Sequence, residues 1–528
     1  MDSIFLRKKI SLKSRLDLLF NFKSILFQQC KQNFSSHSKQ SHCLIKSFEE
    51  IPGPRSLPFI GNLWRYYPLI GQYDLDHQDL NGHYNLKRYG KFVREEINKE
   101  FKILHIFDPK DMESMFNQQN ISPYRRSHRA LLKYRLDRTD RYRSGGIFPE
   151  NGPEWSRLRD LFKHHFLTME NVNVYDTKLN EIADDFIKLL RSNRDSKTFE
   201  LDDLQSYLYR WSLESIFMIM LDDRIGSIDL NECSFNDDAR KMIEAAHKTI
   251  YSIMRTEIYN DWEHNSDTVD YRNLVEGQDL MAEVVTKYLR KQMNCIRETE
   301  PDTILSKMIK DPAIDEKDLF GIIMDFILAG IDTTSNTVAF VLYHLARNQK
   351  IQEELRVELL NTLNEDSGKS FLATNFSRTP LLKACIKESL RLKPISIGIG
   401  RLTTDEIIIN GYKIPKNVMI ITQNQVSCLQ SEYFPNPKEF RPKRWMNDSS
   451  HRHQNDSLKH EFRYVFIPFG QGTRMCLGRR IAELEMYILI AKLLQNFRIE
   501  YNQISDVEQR TRLINEPVRP INIHIFDR

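Results

Sequence analysis

One cysteine in this 528-residue chain stands in a setting suited to chemistry. Cys476 lies in F-G-Q-G-T-R-M-C-L-G-R-R, from Phe469 to Arg480, with Gly470, Gly472 and Gly478 around it and Arg474, Arg479 and Arg480 beside it. The run that follows, I-A-E-L-E-M-Y-I-L-I-A-K-L-L, has helical period, so the cysteine precedes a helix N-terminus. The helix dipole and the cationic neighbours favour a thiolate there. Glycine lets backbone N–H groups approach the sulfur with no Cβ in the way. A single thiolate held in this way suits the axial position of a haem iron, where its electron push favours O–O cleavage. The plain alternative is a small buried hydrophobe, the ordinary role of a free cysteine.

A second constellation sits in the longest helical segment, about Asp315 to Asn348. It would be on the order of 50 Å long at 1.5 Å per residue. Its middle, F-G-I-I-M-D-F-I-L-A-G-I-D-T-T, is apolar almost all round, which predicts a helix crossing the core. No run reads as long and pure enough for a membrane span. Ala329 and Thr333, four apart, share a face, and Asp332 adjoins them. Gly330 costs about 1 kcal/mol relative to alanine inside a helix. Close approach of a bound group, or packing against another helix, would each return that cost.

Three smaller patterns carry charge. K-E-S-L-R sets Glu388 and Arg391 at i, i+3, an ion-pair spacing that is worth little when exposed. W-S-R-L-R sets Trp155 and Arg159 four apart, where a cation–π or packing contact is the commoner use. K-A-C-I-K-E puts Lys383 and Lys387 on one strip, which by itself reads as a solvated helix face.

The elements that must position these residues are mostly helical. Strand signals cluster in E-I-I-I-N-G-Y-K-I-P, where Asn410-Gly411 marks a hairpin, in Val418 to Thr422, and in I-N-I-H-I-F near the C-terminus. The fold class is therefore mainly α with a small β region. I-P-G-P-R-S-L-P, Ile51 to Pro58, is stiffened by proline and opens the folded body. Asn447 to Ser457 is polar and reads as an exposed loop. A hydrophobic fraction of 41% supports a large core, and a net charge of +4 is too small for a nucleic-acid binder. Seven scattered cysteines with no C-x-x-C pair fit a reducing compartment and no zinc site. Residues 1–47 are basic, serine-rich and poor in acids, the composition of a mitochondrial presequence or of a disordered basic tail. Residues 48–528 form the expected single domain.

The spacing F-x-x-G-x-R-x-C-x-G, at Phe469, Gly472, Arg474, Cys476 and Gly478, resembles that of the haem-thiolate cytochromes P-450. The resemblance implies that family's fold, a haem b (iron protoporphyrin IX) with Cys476 as thiolate ligand, and cofactor contacts from Phe469, Gly470 and Gly478. A-G-I-D-T-T resembles the family's oxygen-binding groove, with Thr333 holding dioxygen and a proton-relaying water and Asp332 helping to relay protons. Glu388 and Arg391 resemble the family's E-x-x-R, whose later arginine would be Arg444 of F-R-P-K-R-W, although Lys443 stands where an acid is common. Trp155, Arg159, Arg401 and Arg474 are implied as partners of the haem propionates, to which a cation makes charge-assisted hydrogen bonds.

Arg474 to Glu485, with the paired Arg479 and Arg480, resembles the mitochondrial branch. That branch implies an electron-donating ferredoxin of the adrenodoxin type, docked on Lys383, Lys387, Arg479 and Arg480 and served by an NADPH-dependent reductase. It also implies peripheral contact with the matrix face of the inner mitochondrial membrane. Longer stretches, among them S-G-G-I-F-P-E-N-G-P-E-W and E-S-L-R-L-K-P-I-S-I-G-I-G-R, resemble the arthropod disembodied-type ecdysteroid 22-hydroxylases. The implied function is insertion of one oxygen atom from dioxygen into a steroid substrate. Sibling enzymes acting at carbon 2 or 20 share the architecture. A haem-thiolate isomerase and a non-catalytic haem sensor are the rival classes. An intact A-G-I-D-T-T and the basic docking residues argue against the isomerase, and in a sensor the dioxygen-activating groove would be idle.

Overall fold

The computed structural model describes residues 45–528 apart from 68, 119–122, 229–235, 259, 264–266, 300–301, 366–369 and 447–462. Residues 1–44 of the expected presequence and the polar loop at 447–457 lie outside the described residues. Lys46–Arg528 forms one unit. Eight of its helices bear on the site: α1 (Arg129–Leu136), α2 (Gly152–Leu167), α3 (Leu204–Leu221), α4 (Asp237–Ile258), α5 (Val269–Thr299), α6 (Glu316–Arg347), α7 (Pro380–Leu392) and α8 (Arg479–Asn496).

The expected long helix is α6. Asp315 caps it by accepting from the Asp318 N–H at 2.8 Å, and Asn348 ends it. One correction is due here, because α6 is in fact long and apolar enough to cross a bilayer by composition. Burial explains why: 83% of its most apolar window lies inside the protein. A helix walled on every side needs apolar residues on every side. Helix α3 runs along it, and a Cβ at Gly330 would stand 2.8 Å from Ile216 Cγ1. Ser212 Oγ donates to the Gly330 carbonyl at 2.8 Å across the same seam. Helix packing accounts for the glycine.

The β region is small and split. Strands β1 (Phe92–Glu96), β2 (Lys102–Ile106), β3 (Gly400–Leu402) and β6 (Val418–Thr422) form one sheet in the order β1-β2-β6-β3. Here β2 and β6 are parallel with Leu104 opposite Ile420, and β3 runs antiparallel with Arg401 opposite Ile420. Strands β4 (Ile407–Ile409) and β5 (Tyr412–Ile414) make the expected hairpin. Asn410 (φ 52°) and Gly411 (φ 74°) both take the left-handed conformation that such a tight turn requires. Strands β7 (Gln509–Arg512) and β8 (Ile514–Pro517) form a second hairpin, and Ile523–Asp527 pairs with Phe497–Glu500. Near the N-terminus, the proline-stiffened segment lies on β1: the Arg94 N–H donates to Pro52 O at 2.9 Å.

Candidate active site

The loop that carries Cys476 is shaped by glycine and closed by backbone hydrogen bonds. Gly470 (φ 74°) and Gly472 (φ 80°) turn it in the left-handed region. The Cys476 N–H then donates to Phe469 O at 2.8 Å and the Met475 N–H to Gly472 O at 3.1 Å. Gly478, the N-cap residue of α8, aims its N–H at the sulfur, while Arg159 and Arg479 bring positive charge. Burial nevertheless dominates and pushes the Cys476 thiol up. The expectation that the helix terminus and arginines alone would secure a thiolate is corrected accordingly. In a cleft lined by protein, desolvation outweighs them, and a cation bound to the sulfur is what would tip the balance. Cys476 keeps an accessible surface despite that enclosure, so its sulfur faces an internal cleft.

The same cleft is visible on α6. Between Asp318 and Ala346, the residues of this helix that are not fully buried are Ala329, Gly330 and Thr333. They share one helical face. One turn earlier, the Phe326 ring lies 3.5 Å from the position a Cβ would take at Gly478, bringing α6 against the cysteine loop. Thr333 Oγ1 donates to Ala329 O at 2.6 Å, an i−4 bond within the helix that parks the hydroxyl beside the cleft. Asp332, a helical step of about 100° round the helix, is buried. Its Oδ1 lies 2.8 Å from Nε2 of His247 on α4.

Positive charge collects at the far rim. Arg125, Arg401 and Arg474 are each pushed down, first by burial; Arg125 further depresses Arg401, and both depress Arg474. A guanidinium does not give up its proton. The cost therefore stays mainly as desolvation of buried cations, with repulsion added at Arg401 and Arg474. Arg474 stacks over the Trp155 ring at 4.6 Å and donates to Asn151 Oδ1 at 2.7 Å and Pro123 O at 2.9 Å. Its Nε, the Arg125 Nε and the His128 Nε2 are buried without a hydrogen-bond partner. The cation over Trp155 is Arg474 and not Arg159, which acts on Cys476 instead. Arg125 and His128 are additions to the sequence-based set. The density of basic residues in Y-R-R-S-H-R, Tyr124 to Arg129, was the available signal.

The sequence profile described as Cytochrome P450 matches residues 51–523. The chain belongs to the cytochrome P450 family. It is 33% identical over 483 residues to cytochrome P450 302a1, mitochondrial, of Drosophila melanogaster, covering 91% of this chain and 95% of that one. It is 29% identical to the probable cytochrome P450 12a5, mitochondrial, over 97% of this chain and 98% of that one. To ecdysone 20-monooxygenase it is 26% identical over 91% and 88%. Both of these are also from Drosophila melanogaster. As a cytochrome P450 it has that family's mainly helical fold and is a monooxygenase carrying haem with an axial cysteine thiolate.

The residues present fit that cofactor. A haem brings an iron to balance the sulfur and two carboxylates to balance a rim of cations. Arg125 Nε, Arg474 Nε and His128 Nε2 are buried nitrogens with no protein partner, the kind of group that such carboxylates would satisfy. Among the described residues no cluster of three or more His, Cys, Asp or Glu could hold a metal ion, which leaves a single-sulfur site at Cys476.

Beneath the cysteine loop, α7 carries a network of a different kind. Glu388 and Arg391 are fully buried 2.8 Å apart, and Arg444 Nε donates to Glu388 Oε1 at 3.0 Å. Trp445 Nε1 adds a fifth bond to the carboxylate at 2.8 Å, a contact absent from the sequence reading. Lys443, the departure from family pattern, pairs with Glu354 at 2.8 Å and leaves the triad intact. On the outer face Lys387 is exposed and Lys383 half-buried, and Lys387 feels both Arg479 and Lys383. Arg479 and Arg480 share Glu483 at 2.9 and 3.7 Å, which halves the positive charge the pair presents.

Proposed function

We propose that this cytochrome P450 hydroxylates a steroid, an ecdysteroid precursor, at carbon 22 of its side chain. Haem supplies the oxygen-activating chemistry when bound. Cys476 holds its iron, while Arg474, Arg401, Arg159 and Arg125 with Trp155 hold its carboxylates. Phe469, Gly470 and Gly478 form the floor beneath it. Thr333 lines the cleft with a hydroxyl poised for hydrogen bonding, and Asp332 behind it supplies protons. The observation that carries the catalytic part is the face of α6 formed by Ala329, Gly330 and Thr333, half-accessible in an otherwise buried helix and set against the Cys476 loop.

The substrate assignment is supported by the long stretches resembling disembodied-type enzymes and by the similarity to cytochrome P450 302a1 and ecdysone 20-monooxygenase. Ile395, Ile397 and Ile399, half-buried before β3, supply an apolar wall suited to a sterol. Such a wall must admit the flexible side chain toward the iron and keep the ring system remote, since orientation selects the C–H bond attacked. Electrons come from an adrenodoxin-type ferredoxin and its NADPH-dependent reductase, docked at Lys383, Lys387, Arg479 and Arg480. Residues 1–47 act as a cleaved presequence, and the mature enzyme rests on the matrix face of the inner mitochondrial membrane. Several relatives with mitochondrial names support that address.

Incubating the reconstituted enzyme with a 2,22-dideoxy ketotriol tests the assignment. Mass spectrometry against an authentic standard should show only the 22-hydroxylated product. A product hydroxylated at carbon 2 or 20 would move the assignment to a sibling activity, of which the 20-position has a named relative.

A further inference from the structure

Asp332 is a buried carboxylate on the apolar helix α6, and its charge needs an answer. The answer comes from His247 on α4, whose Nε2 lies 2.8 Å from Asp332 Oδ1. The two edges of this imidazole differ. Nε2 is buried and not aligned in a hydrogen bond, yet the side chain as a whole keeps 40% of its accessibility. His247 therefore sets one nitrogen against the carboxylate while other atoms of its side chain keep accessible surface.

The surroundings hold the ring in that place. Tyr209 of α3 packs edge-on at 4.5 Å. Its phenol is pushed up by burial, by Asp332 and by Glu516 of β8, and its hydroxyl bonds to Asn336. Glu516 also faces His247 and is itself held by Arg510 at 2.7 Å and Arg512 at 3.7 Å. On α4 the adjacent Lys248 is taken by Glu276 of α5, and Glu244 by Arg240 at 3.1 Å. Asp332 and Glu516 stabilise the imidazolium against burial and raise His247 from its ordinary value.

We propose that His247 is the solvent-side station of the proton path to the Thr333 cleft. It takes a proton from bulk water through Nδ1 and releases one from Nε2 to Asp332. Hydroxylation with dioxygen consumes two protons and two electrons and yields the alcohol and one water. The protons enter by this route, and the electrons come from the ferredoxin. Histidine suits the task because it gains and loses a proton near neutral pH. An arginine would match the charge of Asp332 but could not pass a proton on. His247 acts through Asp332 and is therefore a positioning residue. The inference rests on the reading of Asp332 and Thr333 as the proton-delivery pair.

Two measurements test it in the holoenzyme. In the first, the histidine ring is followed by NMR in the diamagnetic ferrous carbon monoxide form, with His247→Gln assigning the signal. The His247 titration should lie above the ordinary value of about 6.5 in the wild type and fall back in Asp332→Asn. An identical titration in both proteins means the pair does not exist in solution and overturns the proposal. In the second, product per NADPH is measured against pH for His247→Arg, which preserves the charge pair but cannot relay. Product formation should drop about tenfold or more, the alkaline fall assigned to His247 should vanish, and haem content and the substrate-induced spectral shift should not change. Wild-type yield and pH profile in His247→Arg reduce the histidine to a structural counter-charge and overturn the relay. Thr333→Ala separates the two levels of the argument. If Thr333→Ala uncouples and His247→Arg does not, the relay alone fails. If Thr333→Ala stays coupled, the delivery pair itself is wrong.

Discussion

Replacing Glu388 by glutamine attacks a network whose geometry sets the cost. The two Glu388 oxygens accept from Arg391 Nε at 2.9 Å and Nη2 at 2.8 Å, Arg444 Nε at 3.0 Å, Trp445 Nε1 at 2.8 Å and the Arg441 N–H at 2.9 Å. Arg391 spends its other hydrogens on the carbonyls of Cys428, Pro437 and Glu439. Glutamine keeps the volume but removes the charge that both guanidinium groups share, and it turns an acceptor into a donor facing donors. Neutral hydrogen bonds contribute about 1 kcal/mol each, whereas breaking a buried ion pair costs about 3–5 kcal/mol, so the charge term decides the outcome. That loss is large against a total stability of about 5–15 kcal/mol. Adding Arg391→Met should not rescue the variant, because the carbonyls of Cys428, Pro437 and Glu439 would then lose their donor. Glu388→Asp, charged but one methylene shorter, should fall between. Urea titration followed by tryptophan fluorescence, with Trp445 as a local reporter, measures the shift in midpoint at unchanged slope. A Glu388→Gln midpoint equivalent to less than about 0.5 kcal/mol from wild type would refute the reasoning.

Cys476→His should abolish the red-shifted Soret band of the ferrous carbon monoxide complex, and an unchanged band would remove Cys476 as the ligand. Charge reversal at Lys383 and Lys387 should slow reduction by ferredoxin at low salt, with haem content intact. The difference should close as the Debye length falls below about 10 Å, and equal rates at all ionic strengths would point to another docking face. Glu485, buried on α8 with its carboxyl pushed up to about 8 by burial, is neutral in the folded protein at pH 7. In the unfolded chain it ionises near 4.3, so stability present below that pH is lost as pH rises toward about 8, by up to about 1.4 kcal/mol per unit. Glu485→Gln should therefore melt like wild type at pH 4 and later than wild type at pH 8, and parallel curves would show a hydrated carboxylate. Gly330→Ala gains about 1 kcal/mol of helix propensity but meets Ile216 at 2.8 Å, an overlap costing about 1–3 kcal/mol. Combined with Ile216→Ala it should be less destabilised than the sum by about 1 kcal/mol, and strict additivity would argue against the contact.

What the sequence revealed depended on whether the information was local. Cys476, A-G-I-D-T-T and the Asn410-Gly411 hairpin are short patterns set by neighbours in the chain; the hairpin turn forms as expected, and A-G-I-D-T-T lies within the expected long helix. The burial of Glu388 with Arg391 was not legible, because i, i+3 spacing is the same on an exposed face as in a core. Strands β1 and β2 were missed because F-V-R-E-E and K-I-L-H-I carry charge on a short segment. The other partner of β2, β6, lies some 300 residues on, a pairing that local pattern does not encode. Separation in the chain also hid His247, which became meaningful only when α4 laid it against Asp332. Gly330 gave two readings at equal weight, and only Ile216 and Ser212 from α3 chose between them.

The crowded arginines at the rim have a consequence for the enzyme's life in the cell. Arg125, Arg401 and Arg474 carry a desolvation cost, with mutual repulsion added at Arg401 and Arg474, against which Asp325 favours the charge of Arg125 and Glu150 that of Arg474. A ligand that binds the folded chain and not the unfolded one adds stability in proportion to the logarithm of its free concentration. Haem, with its two carboxylates, is then a maturation factor as well as a catalyst. Chains that reach it late spend longer in the strained state, where quality-control proteases sample them. Product output would follow haem supply through the amount of enzyme that survives, and not only through the fraction that is loaded.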